Sequence, residues 1–371
     1  MTTLKGHWYR GGTSKCWIFG PEDLSGSREH VTDVLVKAFG ASDARQLSGV
    51  GGGTSTTSKA AVISPFEGEE ADINFLFAQV GIGKEAVEYT SNCGNCSAAV
   101  GLFALDQGLV EPADDVTRVR IYNENTGAFI STYIPTPAGR LPEQESVAIP
   151  GVEDPGYGVD VTFERVDGVS TGALLPTGRP LDSFEQGRFE AHATCIDAGA
   201  PACLISAESL GVTGAENLET IRNNLLDSLL TIRSLASVRT GLSDSVETAS
   251  PAVPKVGVVG GAQDYTTLTG TKVSADEYDI SVRMLSMFDA HPAIGITSAV
   301  AIARSALVEG SVVNSLLRVK GLEPSSDGFT LRMGTLSGVI ETTLRTSPDD
   351  GSVSVSLLRS AHHIADAEIF I

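Results

Sequence analysis

The 371-residue chain contains no long apolar run and is poor in basic residues. No stretch approaches the roughly 20 apolar residues of a membrane-spanning helix, and residues 1–12 lack the apolar segment of a secretory signal. Lysine and arginine number 26 against 46 acidic residues, which gives a formal net charge of −20. Because this charge repels phosphate backbones, nucleic-acid binding is not expected. These absences predict a cytoplasmic protein without membrane or nucleic-acid partners, in which any anionic ligand is bound by local donors.

The cysteines are few and form no recognisable framework. Five cysteines in a long chain without an export signal argue against a set of disulfides. Cys93 and Cys96 have CxxC spacing, but no second CxxC or HxxxH motif completes a zinc site. A thioredoxin-like redox motif would need a surrounding βαβ pattern, which the sequence lacks. We therefore expect no metal and no other cofactor.

Landmarks of the first half of the chain recur in the second half in the same order. A chain of this length is expected to form two domains. The matched positions, which keep a nearly constant offset, are Gly12 with Gly199, Cys16 with Cys203, Lys59 with Lys255, and residues 96–108 with 298–310. The repetition predicts a duplicated domain, with domains at 1–183 and 184–371. The boundary near Ser183 follows a proline- and glycine-rich stretch and is compatible with a terminal strand that crosses over.

Each half has the pattern of a sheet around one buried helix, an α+β fold. Short β-branched runs predict strands at 59–63, 72–80, 116–122, 255–259 and 352–358. Residues 217–238 have the apolar spacing of an amphipathic helix. Two further helices, at about 97–107 and 298–308, are apolar almost all round, which is typical of a helix buried on every side.

Three segments of the first half combine glycine, hydroxyl and cationic residues: 10–15, 49–59 and 91–96. Glycine runs let backbone N–H groups approach an anion, and a helix N-terminus supplies donors and partial positive charge. The 49–59 segment resembles a P-loop only superficially, because the GxxxxGK[ST] order is absent. The alternative is a flexible surface loop, but hydroxyls and Lys59 follow the glycines directly. We interpret the three segments as carboxylate-binding.

Cys93 precedes the first buried helix, where the helix dipole and unpaired N–H groups can lower a thiol pKa from about 8.5. The alternative, a small buried hydrophobe, is the commoner role of free cysteine and suits Cys16, Cys195 and Cys203. If the helix begins at Ser97, Cys96 points into the core. The position equivalent to Cys93 in the second half is Gly295, so a symmetric two-thiol mechanism is not available.

Taken together, these segments resemble the 2-methylaconitate cis–trans isomerase family of the methylcitrate pathway, the PrpF family. The matching stretches are RGGTSK at 10–15, GVGGGTSTTSKAAVISP at 49–65, SNCGN at 91–95, GALLPTG at 172–178, IDAGAP at 196–201, PK at 254–255 and RMLSM with a following histidine at 283–291. The resemblance implies a diaminopimelate epimerase-like fold, in which two similar domains each wrap a barrel-like sheet around a central helix and the active site lies in the cleft between them.

The resemblance also implies the roles of individual residues. Lys59 and Cys93 would be the proton-transfer groups. The residues expected to bind substrate, from the loops and from the repeated half, are Arg10, Gly12, Thr13, Ser14, Lys15, Gly52, Gly53, Thr54, Ser55, Asn95, Lys255, Arg283, His291 and Thr297. A lysine accepts a proton only when it is neutral. We therefore expect that burial of Lys59, or neighbouring cations such as Lys15 and Arg10, favours the neutral form of its amine. Cys96 replaces an expected aliphatic residue, and residues 296–299 replace the usual Thr-Gly-Ala opening, which leaves the substrate open.

The functional hypothesis is a cofactor-independent isomerase that moves a proton on a small unsaturated tricarboxylate of the 2-methylaconitate or aconitate type. One alternative is a keto–enol tautomerase of an oxo-tricarboxylate such as 4-oxalomesaconate. Another is a non-catalytic accessory protein that binds small acids. The thiol separates the two enzyme hypotheses from the accessory protein, because binding alone has no use for Cys93. The expected partner is the small polycarboxylate, and a homo-oligomer is compatible with the sequence.

Overall fold

The computed structural model describes residues 3–90, 92–186 and 189–371, and the chain divides into two compact units. The first unit comprises Met1–Thr162 with Leu358–Ile371, and the second comprises Phe163–Leu357. This division falls earlier than the predicted boundary near Ser183. The reason is that the loop after residue 163 is fastened to the second unit: Thr171 donates its backbone N–H and its hydroxyl to the carboxylate of Asp197.

The first part of the chain forms eight strands and two helices in the described residues. They are β1 (Thr3–Gly11), β2 (Ser14–Phe19), α1 (Arg28–Phe39), β3 (Lys59–Pro65), β4 (Ile73–Val80), β5 (Val87–Glu88), α2 (Gly94–Asp106), β6 (Asp115–Asn123), β7 (Ala128–Thr136) and β8 (Tyr157–Phe163). The predicted strands of this half are all present.

The rest of the chain repeats this order with additions. Its elements are β9 (Asp182–Gln186), β10 (Phe189–Ala198), β11 (Ala200–Ser206), α3 (Leu218–Thr220), a π turn (Ile221–Leu225), α4 (Leu226–Arg239), β12 (Lys255–Gly261), β13 (Tyr265–Thr266), β14 (Lys272–Val273), β15 (Ile280–Ser286), β16 (Asp289–Ala290), α5 (Ile296–Ser305), α6 (Val312–Val319), β17 (Asp327–Thr335), β18 (Gly338–Thr346) and β19 (Val353–Phe370). The amphipathic helix predicted at 217–238 is confirmed, with the π turn inside it.

The sheet of the first unit runs in the order β8–β19–β1–β2–β3–β4–β6–β7. The pairs β1–β2, β3–β4 and β6–β7 are antiparallel, and β2–β3 and β4–β6 are parallel. Helix α2 contacts β1 and β2 as well as β6 and β7. Because these pairs stand far apart in the strand order, the sheet curves around the helix.

The second unit has the same arrangement, in the order β9–β10–β11–β12–β15–β17–β18–β19. Its antiparallel and parallel pairs alternate as in the first unit, and α5 contacts β10, β11 and β18. The predicted duplication is therefore present in the strand pairing. The long strand β19 serves both sheets: Val353–Ser356 pairs with β18, and residues 361–370 pair with β1.

Helix α2 is the buried helix that the sequence predicts, but it begins at Gly94 and not near Ser97. Residues 94–104 are all buried, in keeping with their apolar composition. The earlier start arises because Cys93 is the N-cap: its Sγ accepts the backbone N–H of Cys96, at 3.4 Å. Over the ranges that the structure describes, no helix is both long and apolar enough to cross a membrane.

Candidate active site

The turn of the β1–β2 hairpin rests on the first turn of α2. A Cβ atom on Gly11 would lie 2.1 Å from the carbonyl oxygen of Asn95, and one on Gly12 would lie 2.0 Å from Asn95 Oδ1. Gly12 also has a positive φ of 52°, which glycine adopts without strain. The side-chain amide of Asn95 donates to Thr13 Oγ1 at 3.1 Å. The close approach brings the predicted residues Gly12, Thr13 and Asn95 together at the start of the helix.

Lys59 begins β3 and is buried, with 8% of its surface exposed. Its Nζ donates to Oε1 of Gln79 at 2.8 Å, directly across the β3–β4 ladder. Gln79 is held in turn because its Nε2 donates to the carbonyl oxygen of Ser58 at 2.9 Å. The Lys59 amine also lies 4.9 Å from the centre of the Phe77 ring. The acceptor of the amine is thus a neutral amide in an enclosed setting.

Cys93 is buried at the start of α2, and its pKa differs from the expectation. The hydrogen bond with the Cys96 thiol and burial together raise the pKa of the Cys93 thiol well above its usual range. The charge of Lys59 acts in the opposite direction and lowers it, which places the lysine within electrostatic reach of the thiol. The predicted lowering of the pKa is therefore wrong. The backbone N–H of Cys96 does reach the sulfur, but the hydrogen bond with the Cys96 thiol and the burial of Cys93 outweigh its effect on the pKa.

A row of thiols continues from Cys93 into the core. Cys96 is completely buried, as expected for a residue that points inward. Burial, followed by the hydrogen bond with Cys16, raises the pKa of the Cys96 thiol well above its usual range. Cys195 and Cys203, which belong to the second unit, are also buried. Of the five cysteines, Cys93 is the one that caps the N-terminus of α2. Ser91, which belongs to the same predicted segment, lies outside the described residues.

The glycine run before Lys59 is a packed loop. A Cβ atom on Gly49 would lie 2.2 Å from a backbone atom of Phe39, and one on Gly52 would lie 2.3 Å from Thr57 Oγ1. Oε1 of buried Gln46 accepts the backbone N–H of Gly53 at 2.8 Å and the hydroxyl of Ser58 at 2.6 Å. The alternative of a flexible surface loop does not fit this packing. Carboxylate binding by Gly52, Gly53, Thr54 and Ser55 stays a prediction, and the N–H of Gly53 already has an acceptor.

Arg10 and Lys15 do not flank Lys59 in the way expected. Ser14 and Cys16 are buried on one face of β2, and strand alternation puts Lys15 on the other, where its Nζ lies 4.7 Å from the centre of the Trp8 ring. Arg10 donates to the carbonyl oxygen of Pro155 at 3.0 Å and to Ser360 Oγ at 3.0 Å. It lines a cavity of about 470 Å³ with Glu145, Val152–Pro155, His362 and Ile364.

In the second unit Gly295 is the N-cap of α5, the position that Cys93 has on α2. Thr297 is buried in the first turn, and His291 Nδ1 accepts the backbone N–H of Ala293 at 3.0 Å. Lys255 begins β12 and is half-buried. Arg283 donates to the carbonyl oxygens of Glu216, Val282 and Gly334. These contacts give Arg283 a structural role, and substrate binding by these four residues stays a prediction.

Three residues that the sequence did not single out belong to the first unit's site: Gln79, Asn92 and Arg359. Neither polar atom of the Asn92 side chain has a hydrogen-bond partner, although the residue is buried next to Cys93. Arg359 is 4% exposed, and its Nε has no partner either. The sequence does contain a signal for Arg359. Val355, Leu357 and Arg359 alternate along one strand, so the cation occupies a position where the pattern predicts a buried apolar residue.

A second polar cluster lies near the other end of α2. Within the described ranges, one ligand-type atom from each of His7, His363 and Asp366 lies within 4.8 Å of the others. The members already pair with one another, since Asp366 Oδ1 lies 2.6 Å from His7 Nδ1 and 3.0 Å from His363 Nε2. Nearby, the Tyr9 hydroxyl donates to Asp106, the last residue of α2. The cluster links β1, β19 and α2 and was not predicted.

Two curated relatives resemble the chain over most of its length. The 4-oxalomesaconate tautomerase of Pseudomonas putida is 37% identical, and the match covers 90% of this chain and 89% of that protein. The 2-methyl-aconitate isomerase of Shewanella oneidensis is 36% identical, with 88% and 86% covered. The first is named as a tautomerase and the second as an isomerase.

Solved structures agree in fold. A methylitaconate-delta-isomerase superposes with a TM-score of 0.81 at 30% identity, covering 99% of this chain and 95% of that one. A hydroxyproline epimerase from Agrobacterium vitis, at 10% identity and a TM-score of 0.52, shares the fold over 99% of this chain and 92% of its own.

The duplicated fold and these relatives define an enzyme of the isomerase class. The model of the PrpF protein family matches residues 1–371, and the chain belongs to that family. The alternative of a non-catalytic accessory protein loses its support, because the relatives carry the names of enzymes.

Proposed function

We propose that the protein is a cofactor-independent isomerase with a diaminopimelate epimerase-like fold, acting on a small unsaturated tricarboxylate of the 2-methylaconitate or aconitate type. The observation that carries the proposal is the pairing of a buried amine with a buried thiol at the start of α2. The Lys59 amine is held by a neutral amide and lies within electrostatic reach of the Cys93 thiol. Such a pair offers a proton acceptor and a proton donor within one enclosed site.

In the proposed reaction the neutral amine of Lys59 removes a proton from a carbon next to a carboxylate. The C–H bond breaks, its electron pair delocalises over the double bond and the carboxylate, and the amine becomes an ammonium. Cys93 then donates its thiol proton to the other end of the delocalised anion, or to the same carbon after rotation about the former double bond. One proton leaves the substrate and one returns, so no oxidant, reductant or second substrate is needed.

The raised pKa of Cys93 suits the donor role. A thiol with a pKa above its usual range stays protonated near neutral pH and can give up its proton when the anion forms. The ammonium created on Lys59 stabilises the thiolate that Cys93 leaves behind, since opposite charges favour each other's charged form. The two steps therefore assist each other, and donors at the start of α2 stabilise the substrate's negative charge.

A keto–enol tautomerase of an oxo-tricarboxylate is the second candidate. The relative at 37% identity carries such a name, and the second at 36% is named for 2-methyl-aconitate. Removal of a proton next to a carboxylate and its return elsewhere is the same chemistry, so both reactions could use Lys59 and Cys93.

Proton NMR in D2O with a panel of acids tests the proposal. The panel comprises 2-methylaconitate, cis- and trans-aconitate, 4-oxalomesaconate and methylitaconate. Deuterium should enter at one defined carbon of the true substrate at the rate of isomerisation or faster, and Lys59→Ala should suppress it. If the wild-type protein incorporates deuterium into none of these acids, the proposed function is wrong.

A further inference from the structure

Arg359 is one of three buried arginines in the described residues, with Arg233 and Arg283. Arg233 is also buried, and burial lowers its pKa to about 10, but its Nη1 donates to the carbonyl oxygen of Pro251 at 2.8 Å. Arg283 donates to three carbonyl oxygens, although its Nη2 has no partner. For Arg359, Nε has no hydrogen-bond partner, and no charged group of the described residues offsets the effect of burial on its pKa, which falls to about 10. The buried guanidinium thus lacks a counter-charge.

A buried cation without a partner lowers the stability of the folded state. At a pKa of about 10 the guanidinium still carries its charge at neutral pH. An anionic ligand that binds beside such a group supplies the missing partner. The arginine fork matches a carboxylate, which can accept two parallel hydrogen bonds from it.

The position of Arg359 brings this charge to the start of α2. Arg359 shares a face of β19 with Ala361 and His363, and the His363 ring stacks on Tyr9 at 4.3 Å, beside α2. The neighbouring residue of the strand, Ser360, accepts the backbone N–H of Gly12 at 2.8 Å. A Cβ atom on Gly12 would lie 3.4 Å from Cδ of Arg359 and 2.0 Å from Oδ1 of Asn95. The guanidinium stem and the Asn95 amide therefore lie on the same side of Gly12.

The groups around this point are neutral donors and the guanidinium of Arg10, which donates to Ser360 Oγ at 3.0 Å, with no carboxylate among those named. Asn95 is paired with Thr13 through its amide, whereas the buried amide of Asn92 has no partner on either atom. Two buried polar side chains with unused hydrogen-bonding atoms, Asn92 and Arg359, thus belong to segments that adjoin the start of α2. Buried polar groups normally have partners, so both point to a ligand that supplies them.

We propose that Arg359 binds one carboxylate of the substrate and selects for polycarboxylates. This inference rests on the proposed function and adds to it the residue that supplies the main positive charge. Arg359 is a binding residue, distinct from Lys59 and Cys93. A carboxylate that it holds keeps its charge throughout the proton transfer, so its contact is equal in the ground state and the transition state. Its loss should raise KM far more than it lowers kcat.

Ligand-induced thermal stabilisation and steady-state kinetics test the inference. The variants are Arg359→Met, Arg359→Lys and, as a matched control at an exposed position, Arg140→Met. The probes are trans-aconitate and the best substrate from the NMR panel. We expect Arg359→Met to lose most of the melting-temperature shift that trans-aconitate gives the wild type, and to raise KM by roughly 10- to 100-fold. Arg140→Met should behave as wild type.

The outcomes separate this inference from the function on which it rests. If the wild type itself gains no stability from any acid of the panel, the proposed function fails, and the inference fails with it. If the wild type is stabilised and Arg359→Met keeps the full shift and KM, only the inference fails. A ligand-free Arg359→Met protein that melts well below wild type would also count against it, because Arg359 would then support the fold itself. Should that variant not fold, Arg359→Lys replaces it: an intermediate KM supports the inference, and a wild-type KM contradicts it.

Discussion

The sulfur of Cys93 accepts the backbone N–H of Cys96 at 3.4 Å, so the first cysteine of the CxxC pair caps the helix that contains the second. The two thiols consequently have different surroundings. Cys93 stands at the N-terminus of α2 near Lys59, and Cys96 is completely buried beside Cys16. This difference predicts that the two cysteines respond differently to substitution.

Cys93→Ala should lose most of the activity, whereas Cys96→Ala should keep much of it. The first change removes the proton donor, a contribution of typically about 10²- to 10⁴-fold. The second removes one buried sulfur and leaves a small cavity at a cost of about 1–2 kcal/mol in stability. The assay is turnover of the identified substrate, alongside a thermal melt of each variant. Equal loss of activity in both variants at unchanged stability would mean that the thiols act as a unit.

Alkylation of Cys93 by iodoacetamide should be slow at neutral pH and should accelerate as the pH rises beyond 9. The reactive species is the thiolate, and a raised pKa keeps its population low until the solution is strongly alkaline. A bound polycarboxylate should slow the reaction further. The measurement is mass-spectrometric labelling of Cys93 as a function of pH, with Cys93→Ala as the blank. Rapid labelling at pH 7 would show that the thiol ionises far more easily than its burial implies.

Lys59→Ala should abolish turnover and leave the fold intact, because β3 continues through Ala60–Ile63 and retains its ladder with β4. We expect a loss of kcat of about 10²-fold or more. Lys5→Ala, an exposed strand lysine, is the matched control and should be neutral. Near-normal turnover in the Lys59 variant would remove this residue from the mechanism.

Gln79 positions the Lys59 amine, and Gln79→Glu should lower kcat with little effect on KM. A carboxylate 2.8 Å from the amine would favour the ammonium form, which cannot accept a proton. Gln79→Asn keeps a neutral amide on a shorter stem and serves as the control for charge. The measurement is kcat and KM of both variants: the glutamate variant should lose kcat, and the asparagine variant should keep more of it. Identical kcat values in the two variants would assign Gln79 a purely structural role.

The repeated architecture could be predicted because it rests on local patterns. The apolar runs at 97–107 and 298–308 predict buried helices, and the order of landmarks predicts the duplication that the strand pairing confirms. The start of α2 was misplaced for a reason of chemistry. Serine, threonine, aspartate and asparagine are the usual N-caps, and here the cap is the sulfur of Cys93.

The site was less predictable where it depends on pairing between distant segments. Arg359 reaches Gly12 only because β19 pairs with β1 across almost the whole chain, and a single sequence does not reveal such register. The sequence of residues 10–15 predicts one cationic cluster. In the structure, strand alternation places Lys15 on the opposite face of β2 from Cys16, and Arg10 donates hydrogen bonds to Pro155 and Ser360. The pKa of Cys93 depends on its hydrogen bond with Cys96 and on its burial, and sequence position reports neither.

trans-Aconitate at millimolar concentration should raise the melting temperature, since a ligand that binds only the folded state stabilises it by mass action. Treatment with EDTA followed by gel filtration should leave both this shift and the activity unchanged if the reaction is cofactor-independent. The comparison is the treated against the untreated protein, with divalent metals added back to the treated sample. Activity that disappears with EDTA and returns with one metal would overturn the cofactor-independent mechanism.

Gly12→Ala should destabilise the protein and reduce its activity, whereas Gly108→Ala should only destabilise it. Both glycines have positive φ, 52° and 65°, so each alanine carries a similar backbone cost of about 1–2 kcal/mol. A Cβ atom on Gly12 would meet Asn95 at 2.0 Å, but one on Gly108 would meet nothing within 4 Å. The additional overpacking at Gly12 costs about 1–3 kcal/mol and displaces the groups at the start of α2. Thermal melts and KM values of both variants check this. Matching losses in the two variants would show that the hairpin turn can move away from Asn95 freely, and that its close contact with α2 does not position the site.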